Sequence, residues 1–270
     1  MSRQLTMTIP QHEVYAIRYG HHLRTANHNF IQTQGDPLRP MPMDYFIWLI
    51  RCADGRHVLV DTGFTEASAV RRGRVMLRTP EKGLAAMGAP PDSIADVVIT
   101  HLHYDHAGNV VSFPAAKFWL QEREMQFSTG KYMCHDFFRL AYEPEDVSAI
   151  VSRHFESRLQ LIDGDYELEP GITLHWVGGH TAGLQVVRVF TPSGWLVLAS
   201  DLLHYDANLD LHSPFPIVFR PDQTFDGYAR IRGMVSDRRM IVPGHDPAVM
   251  QRYARDPSDP DFTVQLWRPL

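Results

Sequence analysis

The sequence predicts an α/β fold from three observations. Short runs of apolar, β-favouring residues alternate along the chain with stretches of helical character. Four of these runs carry a histidine or aspartate at, or just beyond, their C-terminal ends. Two pairs of runs are separated only by polar turn residues, as the strands of hairpins are.

The elements are expected in this order. Residues 12–19 alternate weakly and read as an edge strand. Residues 45–50 and 57–60 flank Ala53-Asp54-Gly55-Arg56, a hairpin with an Asp-Gly turn. Residues 65–78 are helical in character, with Thr65 as cap and Gly73 as a weak point. Residues 95–100 form a short buried strand, and 117–120 another. From 121 to 158 the pattern is mostly helical, broken at Pro144, with Glu145-Asp146 opening a new helix. Leu161-Ile162 is a strand leading into a turn through Asp163-Gly164-Asp165. Residues 172–177 form a strand that runs through Gly178-Gly179 to His180. Residues 186–190 and 195–199 make a second hairpin around Pro192-Ser193-Gly194, and its outgoing strand ends at Ser200-Asp201. Residues 224–235 read as a helix, and the strand 239–242 leads through Pro243-Gly244 to His245.

No internal repeat or linker divides the chain, so residues 1–270 are expected to form a single domain with a large core. A net charge of -5 argues against a nucleic-acid-binding protein, which needs a basic face. No apolar run is long enough to span a membrane. The segment Met1-Ser2-Arg3-Gln4-Leu5-Thr6 lacks the apolar stretch of a signal peptide. Cys52 and Cys134 are far apart and read as free thiols, so the cytoplasm is the expected location.

The densest chemistry lies in Thr100-His101-Leu102-His103-Tyr104-Asp105-His106. His101 and His103 are two apart, so an extended backbone points them the same way, whereas the adjacent Asp105 and His106 point elsewhere. Such a run serves two ions held side by side, which can share and activate one water, and this points to a hydrolase. Taken singly, His180 would read as an ordinary core or surface histidine and Asp201 as a turn residue. Beside the 101–106 run, His180, Asp201 and His245 instead complete a seven-member donor set carried on strand ends.

These motifs resemble those of the metallo-β-lactamase-fold hydrolase superfamily. The similarity rests on the 100–106 run, Gly179-His180-Thr181, Ser200-Asp201, Pro243-Gly244-His245 and Asp61-Thr62-Gly63, and extends over about 44–250. The resemblance implies a four-layer αββα sandwich with two divalent ions, zinc by preference, at one edge. One ion would take His101, His103 and His180, and the other Asp105, His106 and His245. Asp201 would bridge them together with a hydroxide, and Asp61 would brace a ligand histidine from behind. Asp105 would also pass a proton to the leaving group.

Among relatives of this kind, the chain is most similar to N-acyl-homoserine lactonases and pyridoxolactonase. The resemblance implies that a metal-bridging hydroxide opens a lactone or similar cyclic ester. A dizinc hydrolase of a thioester, amide or phosphoester, similar to glyoxalase II, is the alternative. A metal-bound protein without turnover is a third reading, against which the full donor set argues. Lactonases carry a tyrosine three residues after the bridging aspartate, and here that place holds His204 with Tyr205 next to it. Either could donate to the oxyanion, and Tyr205 is slightly preferred. Phe64, Met133, Phe137, Phe138, Phe215 and Phe219 are candidates for a substrate pocket. The polar stretch 21–28 is expected as a loop over the site. Relatives are often dimers, and an exposed aromatic arm with Phe30 or Tyr45 would serve a homodimer.

Overall fold

The computed structural model describes residues 8–270, so the 1–6 segment weighed above as a signal region lies outside the described residues. The strands are β1 (Glu13–His22), β2 (Met43–Arg51), β3 (His57–Val60), β4 (Val75–Met76), β5 (Ile94–Val98), β6 (Lys117–Gln121) and β7 (Leu159–Ile162). They continue with β8 (Tyr166–Glu169), β9 (Ile172–Trp176), β10 (Gln185–Thr191), β11 (Gly194–Ser200), β12 (Ile241–Pro243), β13 (Tyr253–Arg255) and β14 (Thr263–Pro269). The helices are α1 (Glu66–Arg72), α2 (Pro80–Ala86), α3 (Tyr104–Ala107), α4 (Glu122–Ser128), α5 (Asp136–Arg139), α6 (Pro144–Phe155), α7 (Asp206–Asp210), α8 (Pro221–Arg232) and α9 (Val249–Arg252).

Two sheets stack face to face. One runs β13-β14-β1-β2-β3-β5-β6-β7 with β4 beside β1, and the other runs β12-β11-β10-β9-β8. Strand alternation sorts the side chains between layers. Phe46, Trp48 and Ile50 of β2 pack against Leu174, Val187, Val189, Leu196 and Leu198 of the other sheet. Tyr45, Ile47 and Leu49 face the opposite way, into a cluster with Ala69, Leu84 and Ile150 of the helices. On the far side of the second sheet, Val186, Val197 and Ala199 pack against Tyr228 and Ile231 of α8. The order is therefore helix, sheet, sheet, helix. A sheet covered on both faces explains why β2 is apolar almost throughout instead of alternating.

Local chemistry sets the element ends. Gly55 takes φ 87° in the Asp-Gly hairpin turn between β2 and β3. Thr65 caps α1 by accepting from Ser68 N, and Gly73 closes it at φ 62°. The helix therefore stops at Arg72 rather than reaching Arg78, and Val75–Met76 pairs with β1. Prolines open α6 and α8 at their first turns, so α8 starts before the expected Thr224. The helical stretch 121–158 divides into α4, α5 and α6 and ends in β7.

Two expectations are corrected. The first strand is internal rather than an edge, because β14 and β2 pair with its two sides. Phe30 and Tyr45 are 2 % and 1 % exposed, so neither forms an exposed arm for a second copy. Among the described residues, no helix is long and apolar enough to cross a membrane.

Candidate metal centre

Strand ends carry every donor to one edge of the sandwich. In the first sheet, β3 delivers Asp61, and β5 delivers Thr100 and His101, with His103, Asp105 and His106 on the turn and short helix that follow. In the second, the parallel β9, β11 and β12 deliver His180, Asp201 and His245. Two glycines make the close approach possible. Gly179, at φ 87°, would bring a Cβ within 2.4 Å of Thr224 Oγ1, and at Gly244 a Cβ would lie 2.7 Å from Ser200 O.

The donor atoms converge in two groups. His101 Nε2 and His180 Nε2 each lie 3.0 Å from His103 Nδ1. A tetrahedral ion with metal–nitrogen bonds of about 2.0–2.1 Å sets its donors roughly 3.3–3.4 Å apart, close to this spacing. In the other group, His106 Nε2 and His245 Nε2 lie 3.9 Å from the Asp105 carboxylate. Asp201 stands between the groups. Its Oδ2 is 3.2 Å from His180 Nε2 and 3.8 Å from His101 Nε2. Its Oδ1 is 2.9 Å from His245 Nε2 and 3.1 Å from His106 Nε2.

The far nitrogen of each ring shows which form these imidazoles take. His180 Nδ1 donates to Ile217 O at 2.6 Å, and His245 Nδ1 donates to Asp44 O at 3.0 Å. His106 Nδ1 donates to Asp61 Oδ2 at 2.6 Å. Thr100 Oγ1 donates to Asp61 Oδ2 at 2.8 Å, which leaves it to accept from His101 Nδ1 at 3.1 Å. In neutral rings so held, Nε2 is a lone pair aimed at the cluster. His106 Nε2 is accordingly buried without a hydrogen bond of acceptable geometry, although Asp201 Oδ1 lies nearby. Lone pairs facing one another and a carboxylate would repel unless cations lay among them. The residues fit divalent metal ions on both sides of Asp201.

Without a cation among them, the electrostatics divide the rings into two kinds. Burial, with the neighbouring imidazoles, drives His101 and His103 well below the ordinary range. Burial opposes charge on His106 and His245 as well, but the Asp201 carboxylate outweighs it and raises both. Burial likewise opposes ionisation of Asp201, yet the surrounding imidazoles, His204 first, hold its carboxyl well below the usual range. The centre is a pocket of negative charge that attracts positive partners.

The profile of the metallo-beta-lactamase superfamily matches residues 42–256, a span holding all seven donors. The chain belongs to the metallo-beta-lactamase superfamily. It is 24% identical over 236 residues to an N-acyl homoserine lactonase of Bacillus thuringiensis, covering 82% of this chain and 88% of the relative. It is 25% identical over 234 residues to a probable metallo-hydrolase of Mycobacterium tuberculosis, covering 78% of this chain and 74% of that one. A crystal structure of a quorum-quenching N-acyl homoserine lactone lactonase superposes with a TM-score of 0.72 at 25% identity, over 89% of this chain and 94% of that chain.

Several parts of this metallo-hydrolase site lie where the sequence reading did not put them. Tyr205 points away from the donors: it is 1 % exposed, and its hydroxyl donates to Pro42 O at 3.2 Å. His204 takes the inward position instead. Its Nε2 is 3.0 Å from Asp201 Oδ2, and its ring stacks on Phe215 at 3.7 Å. Burial lowers its pKa to about 3. A cavity of about 240 Å³ opens over the donors, with Met43, Tyr45, Tyr104, Leu140, Phe215 and Ile217 in its wall.

Of the expected pocket residues, only Phe215 lines this cavity. Phe64 is fully buried among Tyr19, Tyr45 and Tyr104, where its ring fills the core. Met133 lines a separate groove beside α6, and Phe219 another beside α4. Phe138 packs on Phe127 and Tyr132, and Phe137 is 67 % exposed. Packing takes Phe64 and Phe138, other grooves take Met133 and Phe219, and Phe137 faces outward. The 21–28 stretch does reach the site, through Arg24, although His21 and His22 belong to β1.

Glu124 went unrecognised. Fully buried, it accepts from Leu102 N at 3.0 Å, Tyr142 Oη at 2.9 Å, Thr181 Oγ1 at 2.6 Å and Gly183 N at 3.0 Å. It clasps the 101–106 segment to the His180 segment. An acidic residue in an amphipathic helix normally reads as solvent-facing, so only its place directly after β6 could have drawn notice. A separate group, His12, Cys52 and Glu169, lies by the β2–β3 turn, at the other end of the strands. There Arg56 already pairs with Glu169.

Proposed function

We propose that the protein opens a lactone or similar cyclic ester using two divalent ions, zinc by the nature of the donors. One ion would be held by His101, His103 and His180, the other by Asp105, His106 and His245, with Asp201 shared. The carrying observation is Asp201, whose two oxygens face the two donor groups separately. When bound, such a pair lowers the pKa of water and supplies a nucleophile at neutral pH.

The chain's own residues do the rest. Asp61 holds His106 in the tautomer that presents Nε2. The cavity wall of Phe215, Ile217, Leu140 and Met43 excludes water and seats the carbon skeleton of the substrate. His204 faces the same cavity, and its Nε2–H, which meets Asp201 Oδ2 at 3.0 Å, would be shared with the ester carbonyl oxygen as charge builds there. Asp105 also lines the cavity, where its carboxyl can hold a proton for the departing alkoxide. The lactone class is supported by the lactonase relatives, one of which is named for N-acyl homoserine lactones.

Metal analysis followed by a pH-stat panel tests this reading. Two ions per chain with ring opening of lactones is the expected result. Turnover of thioesters, amides or phosphoesters with no lactone opened would replace it by the alternative reading, and no turnover of any class would leave a metal-bound protein without hydrolysis.

A further inference from the structure

The mouth of the cavity carries more positive charge than the chain neutralises. Three arginines line it, Arg24, Arg72 and Arg74. Arg72 is committed: its Nε donates to Glu143 Oε1 at 2.8 Å and its Nη1 to Leu140 O at 2.9 Å. Arg24 and Arg74 differ. Among the described residues, neither guanidinium has a carboxylate oxygen within 4.0 Å. Arg24 donates Nη2 to His28 O at 2.6 Å and lies 5.0 Å over the Phe215 ring, while its Nε is buried without a partner. Arg74 donates Nε to Tyr104 Oη at 3.0 Å and Nη1 to Arg72 O at 2.6 Å, with His22 Nε2 at 3.2 Å. These partners are all neutral. Burial, then Arg74 and Arg24, pushes His22 down to about 4, so the imidazole between them adds no charge of its own at neutral pH.

Two partly buried like charges that line one passage without a counter-ion are costly unless a ligand brings the missing charge. The carboxylates inside the cavity, Asp105 and Asp201, belong to the metal donors and are committed there. Position matters as well. Arg24 and Arg74 line both the cavity of about 240 Å³ and an outer groove of about 510 Å³, so they stand at the passage between the two. The inner space suits a small ring better than a long chain, since drug-sized ligands occupy roughly 300–1,000 Å³.

We propose that Arg24 and Arg74 form an anion subsite at this passage, and that the substrate is a small lactone or ester bearing a carboxylate. The ring enters the inner cavity, and the carboxylate stays between the two guanidinium groups. Phe215, under Arg24 on one face and stacked on His204 on the other, ties the anchored end to the reacting end. The proposal rests on the hydrolase reading above and refines its substrate.

The test compares a γ-lactone bearing a carboxylate side chain with the same lactone carrying the primary amide. In the wild type kcat/KM should favour the carboxylate at least tenfold, chiefly through KM. That preference should fall within threefold of unity in R24Q/R74Q and return in part in R74K. A wild type without preference, or a preference that survives in the double variant, overturns the subsite. Since Arg74 also holds Tyr104, thermal melts accompany each variant, and R24Q alone, which gives up the contact to His28 O and the packing over Phe215, stands in if R74Q fails to fold. Calorimetric binding of hexanesulfonate, a poor metal ligand, to the metal-loaded protein separates the two readings. If neither lactone is opened but the sulfonate binds and weakens tenfold or more in R24Q/R74Q, the subsite stands and the lactone reading falls. Sulfonate binding that is absent, or equal in wild type and variant, overturns the subsite whatever the enzyme hydrolyses.

Discussion

Replacing Asp61 by asparagine changes one atom and should weaken one of the two metal sites while largely sparing the other. The carboxylate is fully buried and accepts from Thr100 N at 2.7 Å, Thr100 Oγ1 at 2.8 Å and His106 Nδ1 at 2.6 Å. An amide has one accepting oxygen. If that oxygen keeps Thr100 N, the new NH2 faces His106 Nδ1–H, donor against donor. If it turns over, it faces the Thr100 N–H instead. The Thr100 hydroxyl can rotate away, but the imidazole escapes only by moving its proton to Nε2, the atom that must present a lone pair to the metal. The loss is one charge-assisted hydrogen bond, about 1.5–3 kcal/mol. At 1.36 kcal/mol per decade this is roughly a 10- to 150-fold weaker site at Asp105, His106 and His245. Burial pushes the Asp61 carboxyl up, and His106 and Thr100 offset this only in part, so these contacts are what favour the charge there.

Chelator competition, resolving two binding steps, is the appropriate assay. One step should weaken by the amount above, and the step owned by His101, His103 and His180 should change little. Both steps within threefold of wild type would refute the argument that Asp61 sets the His106 tautomer. Equal weakening of both would show that the substitution acts through general loss of structure.

The other expected outcomes concern the cavity and the scaffold. His204→Ala should slow turnover by roughly 10- to 1,000-fold, whereas Tyr205→Phe should leave kcat nearly unchanged and cost about 1 kcal/mol of stability for the bond to Pro42 O, as read from steady-state kinetics and urea melts. Glu124→Ala should cost about 3 kcal/mol or more in the same melts, because four buried donors lose their acceptor. Burial, with Glu143 and Glu145 nearby, pushes the Asp146 carboxyl up to about 7. A carboxyl raised in the folded state contributes stability below the unfolded value near 4, and that contribution is lost as pH rises through about 7. Asp146→Asn should therefore raise the melting temperature by roughly 3–8 °C at pH 8 and leave it unchanged near pH 3.5.

The fold was legible where burial and turn chemistry acted together. The two hairpins, 45–60 and 186–199, announced themselves through apolar runs around Asp54-Gly55 and Ser193-Gly194, and the sheets pair as those runs imply. The C-terminal strands β13 and β14 were not legible: they pair with each other across Asp256-Pro257-Ser258-Asp259-Pro260-Asp261, but β13 is only three residues long and β14 finds its other partner, β1, at the far end of the chain. That omission also made β1 look like an edge. The donors were legible because metal chemistry restricts residue type and spacing at once, so His101 to His106 carried information that no single histidine does. The pocket was not. Aromatic residues are used for packing wherever they fall, and Phe64, Phe138 and Phe219 obey the core rather than the cavity.

This contrast bears on what a chain 24% identical to a lactonase can be expected to share with it. The side-chain donors are bound by geometry: three imidazoles meeting at 3.0 Å contacts leave little freedom in the size or direction of the side chain at each place. Two of the restraints behind them are main-chain carbonyls, at Asp44 and Ile217, which constrain the path of the backbone but not the side chains there. The wall of the cavity is therefore free to vary on a fixed frame, and Ile217 shows how: its carbonyl orients His180 while its side chain meets the substrate space. Arg24 and Arg74 sit on that rim, in loops after β1 and before β4 that contribute nothing to the donor set. Selectivity for charge can thus be gained or lost there without disturbing the chemistry, which is why the motif predicts the reaction better than it predicts what reacts.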